Sequence, residues 1–319
     1  MTYRQGEIIL ASDFNSFRTT LLNVYDVGNG DAGYGQIDTG GQVAIPSRAV
    51  NDPILSDEWD KFLTAAETCR AHQGSTTDFP PNAEVAAGEL VEAHEFLDSN
   101  VYDIDSSLVT ITANRLIADA GSVTVFSNAL NSIRNTSWGT QLVHLFRVTF
   151  PTVDDARYFF NSGGQIRFRG SRSGGSGSAQ NASWTALLNN MASITFDYTQ
   201  TTAPGSWFTG SSIGYYDLTT SFQQLATGTP MVGSGYYYYY DNVNNVTLFG
   251  RTVDGTGGLN ADNGRILEFR MEYNDAHVNV FDDTVDGTIT SDIDYRKATS
   301  PLVIQDPVFA TITGLTSGS

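Results

Sequence analysis

The run from Tyr158 to Tyr198 constrains the fold more than any other part of the chain. Ile166 and Phe168 alternate with Arg167 and Arg169, and Ile194, Phe196 and Tyr198 alternate with Thr195, Asp197 and Thr199. Each segment therefore presents one apolar and one wet face, as strands of a half-buried sheet do. Between them, after a Gly/Ser loop reaching Ser178, Trp184, Leu187, Leu188 and Met191 fall at i, i+3, i+4 and i+7. That spacing puts four large side chains on one helical stripe, so the helix lies on the sheet. The unit reads strand, long flexible loop, amphipathic helix, strand, with no nucleophile, metal cluster or phosphate cradle inside it.

The same two-residue period runs through the rest of the second half. Leu142, His144, Phe146, Val148 and Phe150 alternate with Val143, Leu145, Arg147 and Thr149 before Pro151 closes the strand. Leu267, Phe269, Met271 and Tyr273 alternate with Glu268, Arg270 and Glu272, and 288–293 and 309–312 read as further strands. Ile213 to Leu218 reads as a strand, and Tyr236 to Tyr240 pairs with Val246 to Phe249 as a hairpin across Asp and Asn residues. Val153 to Phe160 forms a turn of helix before Gly163-Gly164. Covering so many half-polar strands calls for two layers, which predicts for 106–319 a mostly antiparallel β-sandwich with one or two inserted helices.

Residues 1–105 read differently, as a small three-helix region, and the whole chain is α+β. Gly6 to Phe14 can be laid over Gly88 to Phe96, with a degenerate copy at Ile54 to Trp59: an apolar entry, an acidic helix start, then an aromatic anchor. The first helix puts Phe14, Phe17, Leu21 and Tyr25 on one stripe and ends before a glycine-rich segment at Gly28. The second puts Trp59, Phe62, Leu63 and Ala66 together, with Gly74 as its stop, and the third surrounds Phe96. The zone from Asp103 to Ser122 reads as a boundary with a short extended run, Leu108, Thr110 and Thr112 alternating with Val109 and Ile111. Three short helices make a thin core, so this region is expected to lean on a partner, with Phe14, Phe17, Trp59 and Phe62 as interface residues.

Composition narrows the function classes. A net charge of −18 disfavours nucleic acid and anionic membrane, and no stretch approaches the roughly 18 apolar residues of a membrane span. Cys69 is the only cysteine, which excludes an internal disulfide and a thiolate zinc site. The first residues carry no apolar leader, so the chain is expected to be made in the cytosol, and the Asn-x-Ser/Thr patterns at Asn135, Asn181 and Asn245 carry no glycosylation meaning.

Candidate chemistry is sparse. Gly210-Ser211-Ser212-Ile213-Gly214 matches the G-x-S-x-G pattern, but a strand continuing through Tyr215 to Leu218 lacks the helix that a nucleophile elbow needs. His72, His94, His144 and His277 have no partners at metal-ligand spacing. Asp282, Asp283, Asp286, Asp292 and Asp294 raise a calcium question without the EF-hand spacing, and paired carboxylates for glycoside hydrolysis have no specificity in so acidic a chain. No catalytic residue, cofactor or metal is assigned. The consecutive tyrosines Tyr236 to Tyr240 occupy both faces of a strand, so Tyr236, Tyr238 and Tyr240 are read as a subunit interface ahead of sugar stacking. Arg167, Arg169 and Arg172 either pair with acids of a neighbouring subunit or decorate a strand and loop.

Gly6 to Phe14 running on to Asp31-Ala32-Gly33-Tyr34-Gly35-Gln36, the segments Arg70 to Gly74 and Ala156 to Phe168, Ser211 to Leu218, and Val285-Asp286-Gly287-Thr288 together resemble virion structural proteins of tailed bacteriophages, especially those infecting cyanobacteria. The resemblance spans most of the chain. It implies a non-enzymatic, fibre-like or structural component of tail, neck or baseplate, located in the virion after synthesis in the host cytoplasm. Its implied partners are other phage structural proteins and further copies of itself. The alternative is a receptor-binding fibre that engages host surface glycan through Tyr236 to Tyr240 or nearby loops, and a glycan depolymerase ranks third.

Overall fold

The structure, a computed structural model, describes residues 9–25, 45–73, 86, 104–115, 123–230, 244–255, 264–276, 284–298 and 304–312. Among them are five helices and eleven strands, and every strand pairing is antiparallel. Two hydrophobic cores are separate from one another, one helical and one β.

The helical core is built by α1 (Ala11–Tyr25), α2 (Ser56–His72) and α3 (Ile104–Ala113). The expected stripes are present, but they turn on each other. Phe14 and Phe62 are fully buried, Phe17 and Trp59 nearly so, and Trp59 stacks on Phe62 with centroids 5.5 Å apart while Phe14 meets Phe62 edge-on at 6.1 Å. These four rings are thus the interior of the helical unit and offer no surface to a partner.

The third described helix corrects two expectations. Residues 104–113 are helical, where alternation suggested an extended run: Leu108 and Ile111 point inward while Val109 is exposed, a three-residue step. The run is rich in β-branched residues that favour strands. Here Thr110 and Thr112 each return their hydroxyl to the carbonyl four residues back, Ser106 and Leu108, which satisfies them within a helix. A division at 105/106 therefore falls inside α3, since the helical core includes Leu108 and Ile111. The helix expected around Phe96 lies outside the described residues.

The second half is the expected two-layer sandwich. Its strands are β1 (Val123–Arg134), β2 (Gln141–Thr149), β3 (Gln165–Ser173), β4 (Ile194–Phe196), β5 (Thr201–Thr202), β6 (Phe208–Gly210), β7 (Gln223–Gly228), β8 (Asn245–Thr252), β9 (Ile266–Asn274), β10 (Thr288–Ala298) and β11 (Val308–Thr311). One sheet has the order β1-β10-β3-β4-β5 and the other β11-β2-β9-β8-β7-β6. The inward sets are those read from alternation: Ile166 and Phe168 on β3, Leu142, Phe146 and Val148 on β2, Leu267, Phe269 and Met271 on β9. Phe269 bridges the layers, 4.9 Å from Phe168 and 5.2 Å from Phe196 between ring centroids.

Two helices are inserted, α4 (Val153–Asn161) and α5 (Ala179–Met191). α4 opens on a capping box between Thr152 and Asp155. It closes on Gly163, whose φ is +86°, with Gly163 N donating to Phe160 O and Gly164 N to Phe159 O, the paired bonds of a Schellman motif. α5 sets Trp184, Leu187, Leu188 and Met191 into the sandwich core. It sits over β3 at Gly170, where an added Cβ would lie 2.8 Å from Leu188 Cδ2 and 3.3 Å from the Tyr273 hydroxyl.

The predicted strand at Ile213 to Leu218 is instead a 3₁₀ turn over Tyr215–Asp217. Tyr215 and Tyr216 are both buried, and successive strand residues could not share one face. The turn lets both rings enter the core while their hydroxyls donate to Gly264 O at 2.8 Å and Asn161 Oδ1 at 2.7 Å. Tyr236, Tyr238 and Tyr240 lie outside the described residues; the hairpin partner expected for them is β8, which pairs with β7 and β9.

Gly164 should tolerate no side chain, because a Cβ there would stand 2.4 Å from Phe159 O and 2.8 Å from the Phe159 ring. Gly164→Ala is expected to cost about 2 kcal/mol or more, and Gly163→Ala about 1 kcal/mol through its positive φ alone, in urea unfolding followed by circular dichroism.

Candidate functional site

Two buried carboxylates, one on each sheet, are each clamped by two arginines of the same chain. Antiparallel register sets Arg167 opposite Asp294 and Arg169 opposite Asp292. Asp294, only 1% exposed, receives Arg167 Nε at 2.5 Å and Arg169 at 2.6 Å. On the other sheet Glu268, 2% exposed, lies in register between Arg147 on β2 and Arg251 on β8 and receives both, at 2.5 and 2.6 Å. Burial pushes the Glu268 carboxyl up, but hydrogen bonds and charge from the two guanidiniums together outweigh it and hold it below the usual range. Beside this clamp, the guanidiniums of Arg251 and Arg270 lie 4.5 and 4.6 Å from the centre of the Phe222 ring. The arginine trio of β3 thus meets acids of its own chain, with no neighbouring subunit required.

Asp286 organises the Gly/Ser loop. Its carboxylate accepts from Ser176 N at 3.0 Å, from Arg172 at 3.2 Å and from the Asn181 side chain. The Ser176 N–H is the largest influence holding this carboxyl below its ordinary range, against some burial, with Asn181 and Arg172 adding to it. Gly175, at φ +79°, is required here, since a Cβ would fall 2.4 Å from Asp286 Oδ1. The loop read as long and flexible is therefore wrapped around one carboxylate. Asp286 and Asp294 are spoken for, Asp282 and Asp283 lie outside the described residues, and no group of three or more metal-ligating side chains occurs among the described residues.

Between the sheets lies a polar chain. His144 Nδ1 is hydrogen-bonded to Ser291 Oγ at 2.6 Å, and Ser291 Oγ to the Tyr273 hydroxyl at 2.5 Å. A serine beside a histidine is the spacing of an activated nucleophile. Here Ser291 and Tyr273 are fully buried and His144 is 5% exposed, so no substrate reaches them and the contact serves to satisfy polar groups in the core. Burial, with the nearby positive charge of Arg134, lowers the His144 pKa to about 4. Ser212 of the G-x-S-x-G run is exposed on the segment leading into the 3₁₀ turn, without the helix of a nucleophile elbow.

A cleft of ≈650 Å³ among the described residues is open to solvent along the outer side of α5. Its floor carries Ala182, Thr185, Ala186, Asn189 and Asn190, and Trp207 forms one wall. Arg172 touches it too, but its guanidinium is committed to Asp286 and to Thr185 Oγ1 at 3.2 Å. The sequence reading missed Asn189, Asn190 and Trp207; the signal available was a pair of amides on the polar side of the α5 stripe and a tryptophan outside every strand pattern.

No family model matches the chain, and neither the curated proteins nor the solved structures contain a significant match.

Acid should destabilise the sandwich in a window set by His144. The buried ring stays neutral down to about 4 while the unfolded chain takes up the proton near 6.5, so stability falls as pH drops between these values. The loss from this group is about 3 kcal/mol, and His144→Gln should flatten that limb in denaturant titrations at a series of pH values. Glu268→Gln, which leaves two guanidiniums facing a neutral amide, is expected to cost about 2 kcal/mol at pH 7 by the same assay.

Proposed function

We propose that this chain is a non-enzymatic structural component of a tailed-phage virion, in tail, neck, baseplate or fibre, acting through contacts with other virion proteins and with copies of itself. The observation that carries the reading is an internal two-arginine clamp on each sheet, Arg167–Asp294–Arg169 and Arg147–Glu268–Arg251. Such clamps stiffen a body whose job is to hold shape. The buried His144–Ser291 pair supports it further, because the described serine with nucleophile spacing is sealed from solvent.

Attachment belongs to the helical unit in this reading, though through other residues than its buried rings. Of the seven exposed large hydrophobics among the described residues, Leu10, Val50, Leu55 and Val109 are in the helical half. A small unit that leaves apolar side chains in water is suited to contact with another chain.

The mass of the purified chain by light scattering over a range of concentrations tests the assembly. A closed oligomer is expected, and Leu10→Asp with Val109→Asp should dissociate it while the β circular dichroism signal and sandwich melting stay unchanged. A monomer at every concentration would sink self-assembly, and an oligomer indifferent to the double substitution would remove the helical unit from the contact.

A further inference from the structure

We infer that the cleft along α5 is a binding site for a neutral oligosaccharide, with Trp207 as the stacking wall. The inference concerns a different surface from the assembly contacts and does not depend on them.

Three features argue for a built site. First, α5 has two functional faces: Trp184, Leu187, Leu188 and Met191 fill the core, while Ala182, Ala186, Asn189 and Asn190 face the cleft. Two alanines one turn apart let a ligand approach the helix backbone, and the amides beyond them supply donors and acceptors. Second, the wall is fastened to the floor. Trp207 N donates to Asn190 Oδ1 at 2.8 Å, Asn190 Nδ2 donates to Ser206 Oγ at 3.2 Å, and Gly205 lies so close that a Cβ would come 1.8 Å from Asn190 O. Only glycine allows the turn to press on the helix end and hold the indole there. Third, Trp207 is partly exposed, whereas Trp59, Trp138 and Trp184 are 2, 6 and 1% exposed.

The chemistry selects the ligand class. A pyranose offers an apolar face of C–H groups and an edge of hydroxyls, which suits an aromatic ring beside amides and hydroxyls. Among the described residues lining the cleft the one charged side chain, Arg172, is neutralised by Asp286, and the chain carries −18, so an anionic ligand gains nothing here. A wholly apolar ligand would strip water from the amides without replacing their hydrogen bonds.

The test uses the full chain on an array of immobilised neutral gluco-, galacto- and manno-oligosaccharides, with sialylated and sulfated glycans alongside. The best neutral binder is then titrated in solution against tryptophan fluorescence and acrylamide quenching. The expected result is retention on a subset of neutral glycans and protection of the one quencher-accessible tryptophan. Trp207→Ala should weaken binding by about tenfold or more. Because Trp207 also packs against the core, Ala186→Gln serves as the second variant: it fills the cleft floor from a helix-compatible position and should abolish binding with unchanged melting. No retention on any neutral glycan, retention on anionic glycans alone, or binding that survives both substitutions would each overturn the inference.

Discussion

The sandwich closes on Phe269. Its ring reaches from β9 across the interior to Phe168 and Phe196 of the facing sheet, and the inward side chains of both layers pack around that contact. Burial of apolar faces supplies most of the drive to fold, but it is indifferent to direction and would allow one layer to slide over the other. The polar chain His144–Ser291–Tyr273 removes that freedom, since hydrogen bonds between β2, β9 and β10 are satisfied in one alignment only. Gly170 is the geometric condition for it: it lies opposite Ser291 in register, and its missing side chain leaves room for the Tyr273 hydroxyl and for Leu188 of α5. One absent Cβ thus couples the bolt between the sheets to the seating of the helix.

The outer faces follow a second rule. A carboxylate in mid-sheet loses hydration to its neighbours, and it is tolerated where arginines on adjacent positions return charge and hydrogen bonds. Asp294 and Glu268 each receive two guanidiniums, from one strand and from two strands respectively. Asp286 does similar work for a loop, taking a backbone N–H, an amide and Arg172. The cleft along α5 inherits its shape and its lack of charge from this last arrangement. Asp286 thus neutralises Arg172 at one end of the cleft, while Asn190, Ser206 and Gly205 hold the partly exposed Trp207 at the other.

Much of the fold was legible because a period of two residues, repeated through β2, β3, β9 and β10, has few explanations other than a half-buried sheet. The stripe of α5 and the stripes of α1 and α2 were equally clear. Their destination was less so: Phe14, Phe17, Trp59 and Phe62 announce a buried face without saying whether the covering surface is the same chain or another. α3 was read as extended because β-branched residues mask a three-residue step, and Tyr215 and Tyr216 were read as strand because the turn that buries both depends on Gly214 and on hydroxyl partners distant in sequence. The cleft residues Asn189, Asn190 and Trp207 left only a faint signal, two amides on the polar side of α5 and a tryptophan outside the strand patterns, since a polar residue on a solvent face looks the same whether or not something faces it.

By itself, then, the sequence determined which side chains must leave water and with what period, and hence an α+β chain with a two-layer antiparallel body and one or two inserted helices, of which the structure has two. It also determined that charge is scarce and mostly acidic, so that an arginine has many carboxylates to choose from. Tertiary structure alone decided which carboxylate: Arg167 meets Asp294 across 127 positions of chain and Arg172 meets Asp286 across 114. Periodicity is local and survives in a one-dimensional string. Pairing between strands, the bolt through Gly170 and the wall that Trp207 makes against α5 depend on distances between residues far apart in the chain, and only the folded packing sets those.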